Sequence, residues 1–529
     1  MNNTNRILVR TCVAIIAMAT SLPAHSQTTP IKLDSQKMPA IGKVDERFQS
    51  YNVEMLEVTG GRFWAPYKQQ ANAPADMQQA APGSMPASLY RYRAPINLAD
   101  PRLRKLAAAL GPAYMRVSGT WANSTYFHYS PDPAPEKPPA GFNGVLTRDQ
   151  WRGVIDFTHA VDAKLVSSFA VSQGLRDANG VWTPVEAEKI LAYTASIGGN
   201  IVAAEMFNEP TFASIGGAPK SYDAEAYGRD FRAFIAYIKK AEPQMKILGP
   251  GSIGEPDAFG QMPGMHLLST ENMLKDEGPG LDAFSYHFYG ALSKRCAMMG
   301  APAIGTTPEA ALSDDWLSRT NRDEAYYAAL RDKYLPGKPL WLTETGETAC
   351  GGDPWASDFV DSFRYLNQLG TLAKHGVQVV IHNTLAASDY ALIDETTLTP
   401  RPNYWSAVLW RRLMGTTVLD AGNAPQQPGL YLYAHCLRNH GGGTAILAIN
   451  ADKAASREIT LPAAYTQYTL TANNLMDSSV MLNGVELKLT SSDDLPSFDG
   501  TQHKAGTVTL SPTSITFFAI LDAHNQACR

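Results

Sequence analysis

The sequence predicts an α/β protein that consists of a (β/α)8 TIM barrel and a C-terminal β-sandwich domain. Between residues 46 and 415, short apolar runs alternate with amphipathic helical patterns. The alternation repeats roughly eight times, which favours a closed parallel barrel over an open sheet. Residues 416–529 instead contain short strands separated by turn residues, a pattern typical of a β-sandwich. Residues 28–45 are expected to add a strand to that sandwich.

The barrel strands are predicted from short runs rich in apolar residues. They are YNVEMLEV (51–58), AYMRVSG (113–119), KLVSSFAV (164–171), NIVAAEMF (200–207), MKILGP (245–250), LDAFSYHFY (281–289), PLWLTE (339–344) and VQVVIHN (377–383). Helical spacing of apolar residues predicts the intervening helices. We place them at 101–110, 148–163, 183–199, 223–241, 265–277, 322–334, 356–375 and 404–413.

The strands of the C-terminal domain alternate with turn residues. They are predicted at GLYLYAHCL, TAILAIN, REITL, YTLTANNL, SVMLNGVELKL, GTVTL and SITFFAIL. The pair Asn483-Gly484 within SVMLNGVELKL is a strong signal for a β-hairpin turn. The region is therefore predicted to be all-β.

Charge and the first residues limit the class of protein. The net charge of the 529 residues is −5, which argues against a nucleic-acid partner because such partners require a basic face. Residues 1–26 have the features of a cleavable signal peptide: Arg6 and Arg10, an apolar run, and AHS before Gln27. The apolar run is shorter than the ~20 residues of a membrane span. We therefore expect a secreted or periplasmic protein with no membrane span.

Four cysteines remain once the signal segment, with Cys12, is removed: Cys296, Cys350, Cys436 and Cys528. In an exported protein they permit two disulfides, with three alternative pairings. They form no CxxC motif, so a zinc site is not expected. The sequence implies no other metal and no cofactor.

Two of the predicted barrel strands end in carboxylic acids. The fourth runs into Asn208-Glu209-Pro210 and the seventh into Glu344. Active sites of such barrels lie at the C-terminal ends of the strands, so the two glutamates would face each other across the mouth. A retaining glycosidase needs such a pair roughly 5–5.5 Å apart. The pattern predicts Glu209 as the acid/base and Glu344 as the nucleophile.

The sixth strand offers two further candidate residues. His287 and Tyr289 are separated by one residue, so their side chains point to the same face of the strand. Tyr289 could donate a hydrogen bond to the nucleophilic carboxylate, and His287 could approach the substrate. The alternative is that both are core aromatic residues of a barrel strand.

The other acidic residues near these strand ends are expected to have structural roles. Glu205 lies within the fourth strand and is expected in a buried ion pair. Glu347 and Asp353 lie in the loop after the seventh strand, where solvation is the expected state. Asp394 and Glu395 are expected to form a turn.

Several segments, taken in their order along the chain, resemble one known family. They are AYMRVSGT, FNEPTF, SYHFYG, LWLTETGETACGG, SDYALIDE, PNYWSAVLWRRLMGTTVL, YAHC, LNGVELKL and ACR. They are similar to segments of the heparanase-like β-glucuronidases of glycoside hydrolase family 79, and the chain resembles a bacterial member. The resemblance spans most of the mature chain. It implies the same roles for Glu209 and Glu344.

The resemblance also implies a set of sugar-binding residues. Gly351-Gly352 would allow backbone donors to approach an anion closely. The implied contacts are Asn208 with the 2-hydroxyl group, Tyr390 and the N–H groups of Cys350 and Gly351 with the uronic carboxylate, and Glu54 and Thr120 with the sugar.

The resemblance implies a Cys436–Cys528 disulfide, which would tie the last strand to the β-domain. Cys350 stands where the family often has Gly, and it is a candidate partner for Cys296. Mammalian relatives carry a long excised segment after the second strand, where this chain has only YSPDPAPEKPPAGF. We therefore expect a single chain that is active without internal cleavage.

The leading interpretation is a retaining β-D-glucuronidase that acts on a glycan or a glucuronide. Exo and endo cleavage both stay open. The alternatives are another retaining barrel glycosidase, such as a β-xylosidase or β-glucosidase, or a non-catalytic glycan-binding surface protein. The oligomeric state is open, with a monomer expected.

Overall fold

The computed structural model describes residues 30–67, 89–213, 215–256, 267–277, 280–297, 305–422 and 427–529. The predicted signal segment, with its cleavage site and Cys12, lies outside the described residues. Within the described ranges, no helix is both long enough and apolar enough to cross a membrane.

Eight parallel strands close into a barrel, which confirms the predicted TIM-barrel fold. Each strand pairs with its neighbours in chain order, and the eighth pairs with the first to close the ring. The strands are β1 Gln49–Glu54, β2 Ala113–Ser118, β3 Ala163–Ser168, β4 Ile201–Glu205, β5 Lys246–Ser252, β6 Ala283–Tyr289, β7 Leu340–Gly346 and β8 Val379–His382.

A helix follows each strand and packs its apolar face on the barrel. The helices are α1 Pro101–Ala108, α2 Arg148–Ala160, α3 Val185–Ser196, α4 Ala224–Ala241, α5 Thr270–Glu277, α6 Asp314–Tyr334, α7 Phe359–Lys374 and α8 Pro402–Leu413. The local sequence determines where several of these helices begin. At α2, Thr147 Oγ1 accepts a hydrogen bond from the Gln150 N–H, and Gln150 Oε1 accepts one from the Thr147 N–H.

One predicted helix is longer than its apolar pattern indicated. We expected the sixth helix at 322–334, whereas α6 begins at Asp314. Ser313 caps it by accepting a hydrogen bond from the Trp316 N–H at 3.2 Å. Asp314 and Asp315 in the first turn interact favourably with the positive end of the helix dipole, so capping extends the helix beyond its periodic stretch.

The C-terminal region is all-β and forms two packed sheets, which confirms the predicted sandwich. A nine-stranded sheet contains Ala40–Lys43 with β9 Met414–Leu419, β10 Leu430–Leu437, β11 Thr444–Asn450, β13 Tyr465–Thr471, β14 Met481–Leu482, β15 Val485–Glu486, β16 Thr501–His503 and β18 Ser514–Ile520. A second sheet contains Ile31–Lys32 with β12 Arg457–Leu461 and β17 Gly506–Leu510. A separate hydrophobic core lies between the two sheets.

The segment before the barrel contributes a strand to each of these sheets. Ala40–Lys43 pairs with β9, and Ile31–Lys32 pairs with β12. The domain bounds drawn from the sequence, 46–415 and 28–45 with 416–529, stay a prediction. In the structure, β9 already begins at Met414, directly after α8.

Candidate active site

The chain turns sharply after β4. Glu209 has φ 50° and ψ 62°, which is the left-handed region that non-glycine residues rarely adopt. Pro210 then begins a 3₁₀ helix that ends at Phe212. Backbone strain of this kind tends to occur at functional sites. The strand therefore ends in a turn that places the Glu209 carboxyl group beside the side chains of other strand ends.

The carboxyl groups of Glu209 and Glu344 lie together at the mouth of the barrel. One oxygen of each lies within 4.8 Å of the other, and His287 Nδ1 falls within the same limit. Retaining glycosidases hold their two carboxyl groups roughly 5–5.5 Å apart, whereas inverting enzymes hold them roughly 6.5–9.5 Å apart. The close approach of these oxygens favours the retaining arrangement over the inverting one.

Donors from β6, from β2 and from the residue after β8 surround the Glu344 carboxylate. Tyr289 OH donates to Oε1 at 2.8 Å, and Arg116 Nη1 donates to Oε2 at 2.9 Å. Asn383 Nδ2 lies 3.5 Å from Oε1. This carboxylate is therefore fixed in orientation, with a cation on one oxygen and a hydroxyl group on the other.

The buried Arg116 of β2 links the surroundings of both glutamates. It forms an ion pair with Glu205 at 2.7 Å, which confirms the expected buried pair of Glu205. Its Nη2 also donates to Asn208 Oδ1 at 2.8 Å. The guanidinium forms ion pairs with both Glu205 and Glu344, so two buried carboxylates share one fixed positive charge.

His287 donates a hydrogen bond to Glu209. Arg116 Nη2 lies 3.2 Å from His287 Nε2, and His287 Nδ1 lies 3.1 Å from Glu209 Oε1. A guanidinium can only donate, so Nε2 must accept and we assign the ring hydrogen to Nδ1. Burial lowers the pKa of His287 to about 4, so the ring is neutral at ordinary pH.

Burial also raises the pKa of Glu209, to about 7. The Arg116 charge opposes this shift, and the Glu205 charge adds to it. The Glu209 side chain is 15% exposed. A carboxylic acid with this pKa stays protonated up to neutral pH, as a proton donor to a leaving group requires.

Asn208 ties the loop after β4 to the loop after β2. Its N–H donates to Asn123 Oδ1 at 2.8 Å, and Asn123 Nδ2 donates to the Asn208 carbonyl at 2.9 Å. Asn123 belongs to the 3₁₀ helix Thr120–Ser124. Thr120 is exposed at the start of that helix, and its side chain makes no hydrogen bond within the described residues.

The side chain of Asn383, directly after β8, joins the other strand ends. Its Nδ2 lies 2.9 Å from Tyr289 OH, 3.1 Å from Glu54 Oε1 and 3.2 Å from Tyr390 OH. Glu54, Tyr289 and Tyr390 were all predicted site residues, and the structure brings them together with Glu344 around this one amide.

Glu54, the last residue of β1, is buried beside the predicted nucleophile. Burial raises its pKa well above the ordinary value, and the nearby Glu344 charge adds to the shift. Gly119, with φ 91°, makes room for the Glu54 side chain, since a Cβ there would lie 1.5 Å from Glu54 Oε2. The glycine is therefore required for this placement of Glu54.

The loop after β7 contains three consecutive residues with positive φ. They are Cys350 at 64°, Gly351 at 88° and Gly352 at 84°. Within the described part of the chain, neither the Cys350 N–H nor the Gly351 N–H donates a hydrogen bond to the protein. Turns with unpaired backbone N–H groups are suited to anions. Tyr390 packs on this loop, since a Cβ on Gly352 would lie 2.9 Å from the Tyr390 nitrogen.

The structure forms both disulfides. Cys296 pairs with Cys350, and Cys436 pairs with Cys528. Cys296 belongs to the short helix Lys294–Ala297. The first disulfide therefore joins the loop after β7 to the loop after β6, next to Gly351.

The expectation that Glu347 and Asp353 are solvated is wrong. Both are buried, because the loop folds back under the helix Lys294–Ala297. Asp353 Oδ1 accepts a hydrogen bond from the Lys294 N–H at 2.6 Å, and the Asp353 N–H donates to Glu347 Oε2 at 2.8 Å. Burial raises the pKa of Asp353 to about 6. The expected turn at Asp394 is confirmed, since its side chain caps the Thr396 N–H.

The sequence argument missed Arg116 and Asn383. The sequence did offer an indication for Arg116, because it is a charged residue inside the apolar run AYMRVSG. Asn383 follows the eighth strand as Asn208 follows the fourth, so the same strand-end argument applied to it. The contacts of both residues depend on how the strands meet, which no local pattern shows.

The site and fold agree with comparisons to known proteins. Residues 96–370, a little over half of the chain, match the model described as "Glycosyl hydrolase family 79, N-terminal domain". The chain belongs to glycosyl hydrolase family 79. A hyaluronoglucuronidase from Hirudo nipponia is 27% identical over 488 residues, which cover 84% of this chain and 93% of the relative. Heparanase from Rattus norvegicus is 28% identical over 489 residues, which cover 82% and 87%.

Solved structures show the same fold in other glycosidases. A 4-O-α-L-rhamnosyl-β-D-glucuronidase from Fusarium oxysporum has a TM-score of 0.60 at 15% identity and covers 93% of this chain and 100% of its own. A GH51 arabinofuranosidase from Xanthomonas axonopodis has a TM-score of 0.59 at 17% identity, with coverages of 91% and 97%. The family 79 chain is thus a heparanase-like glycoside hydrolase of the retaining class.

Proposed function

We propose that this family 79 enzyme is a retaining β-D-glucuronidase that hydrolyses glucuronic-acid-containing glycans. One observation supports this most directly: two carboxyl groups within 4.8 Å of each other have opposite surroundings. Glu209 is largely desolvated and has its pKa raised to about 7. Glu344 instead accepts hydrogen bonds from Arg116 and Tyr289. Such different environments support the proposal that one glutamate is the acid and the other the nucleophile.

The proposed reaction has two steps. In the first, Glu344 attacks the anomeric carbon, the bond to the aglycone oxygen breaks, and Glu209 gives its proton to that oxygen. A glucuronyl–enzyme ester results. In the second, the ionised Glu209 takes a proton from water while the water oxygen attacks the anomeric carbon and releases Glu344. The configuration at the anomeric carbon is retained.

The loop after β7 supports a uronic acid as the sugar. The N–H groups of Cys350 and Gly351 and the hydroxyl group of Tyr390 are neutral donors, which suit a substrate carboxylate. The relative named hyaluronoglucuronidase favours the same substrate class. Xylose has no exocyclic group at C5 for such donors to bind, and glucose has only an uncharged hydroxymethyl group there. Asn208, Glu54 and Thr120 are proposed to contact the ring hydroxyl groups.

Kinetics on matched aryl glycosides tests the proposal. The enzyme should hydrolyse p-nitrophenyl β-D-glucuronide far faster than the glucoside or xyloside. Glu344→Gln should lose most activity, whereas Glu209→Ala should keep part of it, because p-nitrophenol needs little protonation to leave. Glu486→Gln, in the exposed strand β15, is the control and should behave as the wild type. A preference for the glucoside, or wild-type rates in both active-site variants, would contradict the proposal.

We further propose that the protein is exported and loses residues 1–26. The two disulfides are compatible with an oxidising compartment. Amino-terminal sequencing of protein from the periplasm or medium of a bacterial host should begin at Gln27. A mature protein that starts at Met1 would contradict the export proposal and leave the catalytic one standing.

A further inference from the structure

Two buried carboxylic acids belong to the loop after β7, and we call Glu347 and Asp353 the carboxyl pair. Glu347 is fully buried, and Asp353 is 2% exposed. In the chain they stand on either side of Cys350 and Gly351, whose N–H groups are proposed to bind the uronic carboxylate. Neither acid takes part in the proposed reaction, so their burial beside this loop requires another explanation.

One oxygen of each carboxyl group shapes the loop. Glu347 Oε2 accepts hydrogen bonds from the Thr348 hydroxyl group and from the Asp353 N–H, both at 2.8 Å. Glu347 therefore joins the first residues of the loop to the residue that follows Gly352. Asp353 Oδ1 accepts a hydrogen bond from the Lys294 N–H at 2.6 Å, which ties the loop to the segment after β6.

The second oxygen of each group is left over. Within the described residues, Glu347 Oε1 and Asp353 Oδ2 are buried and accept no hydrogen bond. The donors to the first oxygens are two backbone N–H groups and a hydroxyl group, all of them neutral. Two neighbouring carboxylates that are both ionised and buried without a cation would be strongly destabilising. The pair must therefore retain at least one proton.

The nearby charged groups are mostly neutralised by other partners. The charged and titratable groups that face the pair from neighbouring elements are Asp361, Arg364, Lys294, Arg295, Asp389 and Tyr67. Arg364 donates to Asp361 at 2.6 and 2.8 Å within α7. Arg295 pairs with Asp389 of the loop after β8 at 2.8 Å, and its N–H donates to the Tyr67 hydroxyl group. Among the facing groups, this leaves Lys294, which is exposed to solvent.

Burial raises the pKa of both acids. The pKa of Asp353 is raised to about 6, and that of Glu347 lies well above its ordinary value, with the Asp353 charge adding to the shift. An acid with a raised pKa stabilises the folded arrangement while it is protonated, and this contribution is lost as the pH rises through the raised value. The loop should therefore lose its shape at alkaline pH, when the last proton leaves the pair.

We propose that Glu347 and Asp353 are positioning residues, and that the proton retained by this pair keeps the loop after β7 in the shape that binds the uronic carboxylate. The inference rests on the proposed glucuronidase function and deepens it, because it makes glucuronide binding depend on a proton outside the two catalytic residues. The Cys350 and Gly351 N–H groups lie within the segment that the Glu347–Asp353 link closes. Loss of that link would change the direction of both donors.

Binding measured without turnover tests this inference. In the Glu344→Gln background, calorimetry gives the Kd of p-nitrophenyl β-D-glucuronide over the range from about pH 5 to about pH 9. The Kd should increase about tenfold toward the alkaline end, because the loss of one required proton weakens binding by up to about tenfold per pH unit. Adding Glu347→Gln supplies a side chain that accepts the same hydrogen bonds and stays neutral, so most of the increase should disappear. Asp353→Asn leaves a single acid in the pair and should have the same effect.

Glu186→Gln in α3 is the matched control. Glu186 is also buried and accepts a hydrogen bond from the Phe127 N–H at 2.7 Å, but it pairs with Lys189 and lies outside the loop. In the same background this variant should show the full increase in Kd. Glu209 titrates in every variant, so the difference between variants reports the carboxyl pair alone.

The remaining outcomes separate this inference from the proposed function. If Glu347→Gln and Asp353→Asn keep the full increase in Kd, or bind the glucuronide weakly at every pH, the retained proton does not position the loop and the inference is wrong. A Kd that does not change with pH in the Glu344→Gln protein also overturns it. In these cases the glucuronidase function stands. If the Glu344→Gln protein binds no glucuronide and the wild type hydrolyses none, the proposed function itself fails.

Discussion

Glu209 and Glu344 are the same residue type, and only their neighbours distinguish them. Glu209 receives a hydrogen bond from the neutral His287 ring, and burial dominates the shift of its pKa. Glu344 receives hydrogen bonds from the Arg116 cation and from Tyr289. The proposed roles of the two residues therefore follow from the burial of Glu209 and from the charged donor beside Glu344.

The raised pKa of Glu209 predicts the alkaline limit of activity. The general acid must be protonated, and its pKa is about 7, so kcat/KM should fall as the pH rises through about 7. Glu205→Gln removes a negative charge that raises this pKa and leaves the opposing Arg116 charge, so the alkaline limb should move to lower pH. Full pH profiles on a glucuronide with a poor leaving group measure both effects. If the alkaline limb of the pH profile lies at the same pH in Glu205→Gln and in the wild type, the assignment of that limb to Glu209 is contradicted.

The loop after β7 shows how one element positions several donors. Its residues with positive φ orient the Cys350 and Gly351 N–H groups, and a disulfide to Cys296 fixes one end. Cys350 adopts φ 64°, a conformation that costs a non-glycine residue about 1–2 kcal/mol. The covalent link holds the residue in that conformation.

Removal of this disulfide should therefore weaken glucuronide binding more than turnover. We expect Cys296→Ser/Cys350→Ala to raise KM for the aryl glucuronide several-fold, with a smaller effect on kcat. Cys296→Ser/Cys350→Gly should recover much of the loss, because glycine adopts positive φ without strain. The control is Cys436→Ala/Cys528→Ala, which removes the other disulfide. Equal KM values in both loop variants and the wild type would show that the disulfide does not position the site.

The barrel and the sandwich form one continuous core through α7 and β10. Tyr433 OH donates to Asn367 Oδ1 at 2.7 Å and lies 2.8 Å from Thr371 Oγ1. The ring of Tyr433 lies over Gly370, where a Cβ would be 2.3 Å from it. Since the ring is hydrogen-bonded at its far end, it cannot easily move away.

Two helical glycines should consequently respond to alanine in opposite ways. Gly153 in α2 faces open space, so Gly153→Ala should stabilise the protein by about 0.5–1 kcal/mol through helix propensity. Gly370→Ala in α7 would crowd the Tyr433 ring and should lower the free energy of unfolding of the protein by about 1–3 kcal/mol. Thermal unfolding of the two variants beside the wild type shows whether each substitution raises or lowers the melting temperature. A stabilised Gly370→Ala would mean that the barrel–sandwich contact is loosely packed.

The sequence by itself determined the barrel, the sandwich and the positions of Glu209 and Glu344, because apolar periodicity marks strands and a parallel barrel collects their carboxyl ends at one mouth. Only the tertiary structure decided which groups surround those glutamates. Arg116 reaches Glu344 across 228 positions of the chain, and Asn52 reaches the Thr343 carbonyl across 291. The burial of Glu347 likewise depends on the tertiary structure. Charge, desolvation and hydrogen bonding act between residues that are distant in the sequence. Local sequence pattern can therefore indicate Glu209 and Glu344 as candidate acids, but it cannot indicate their protonation states.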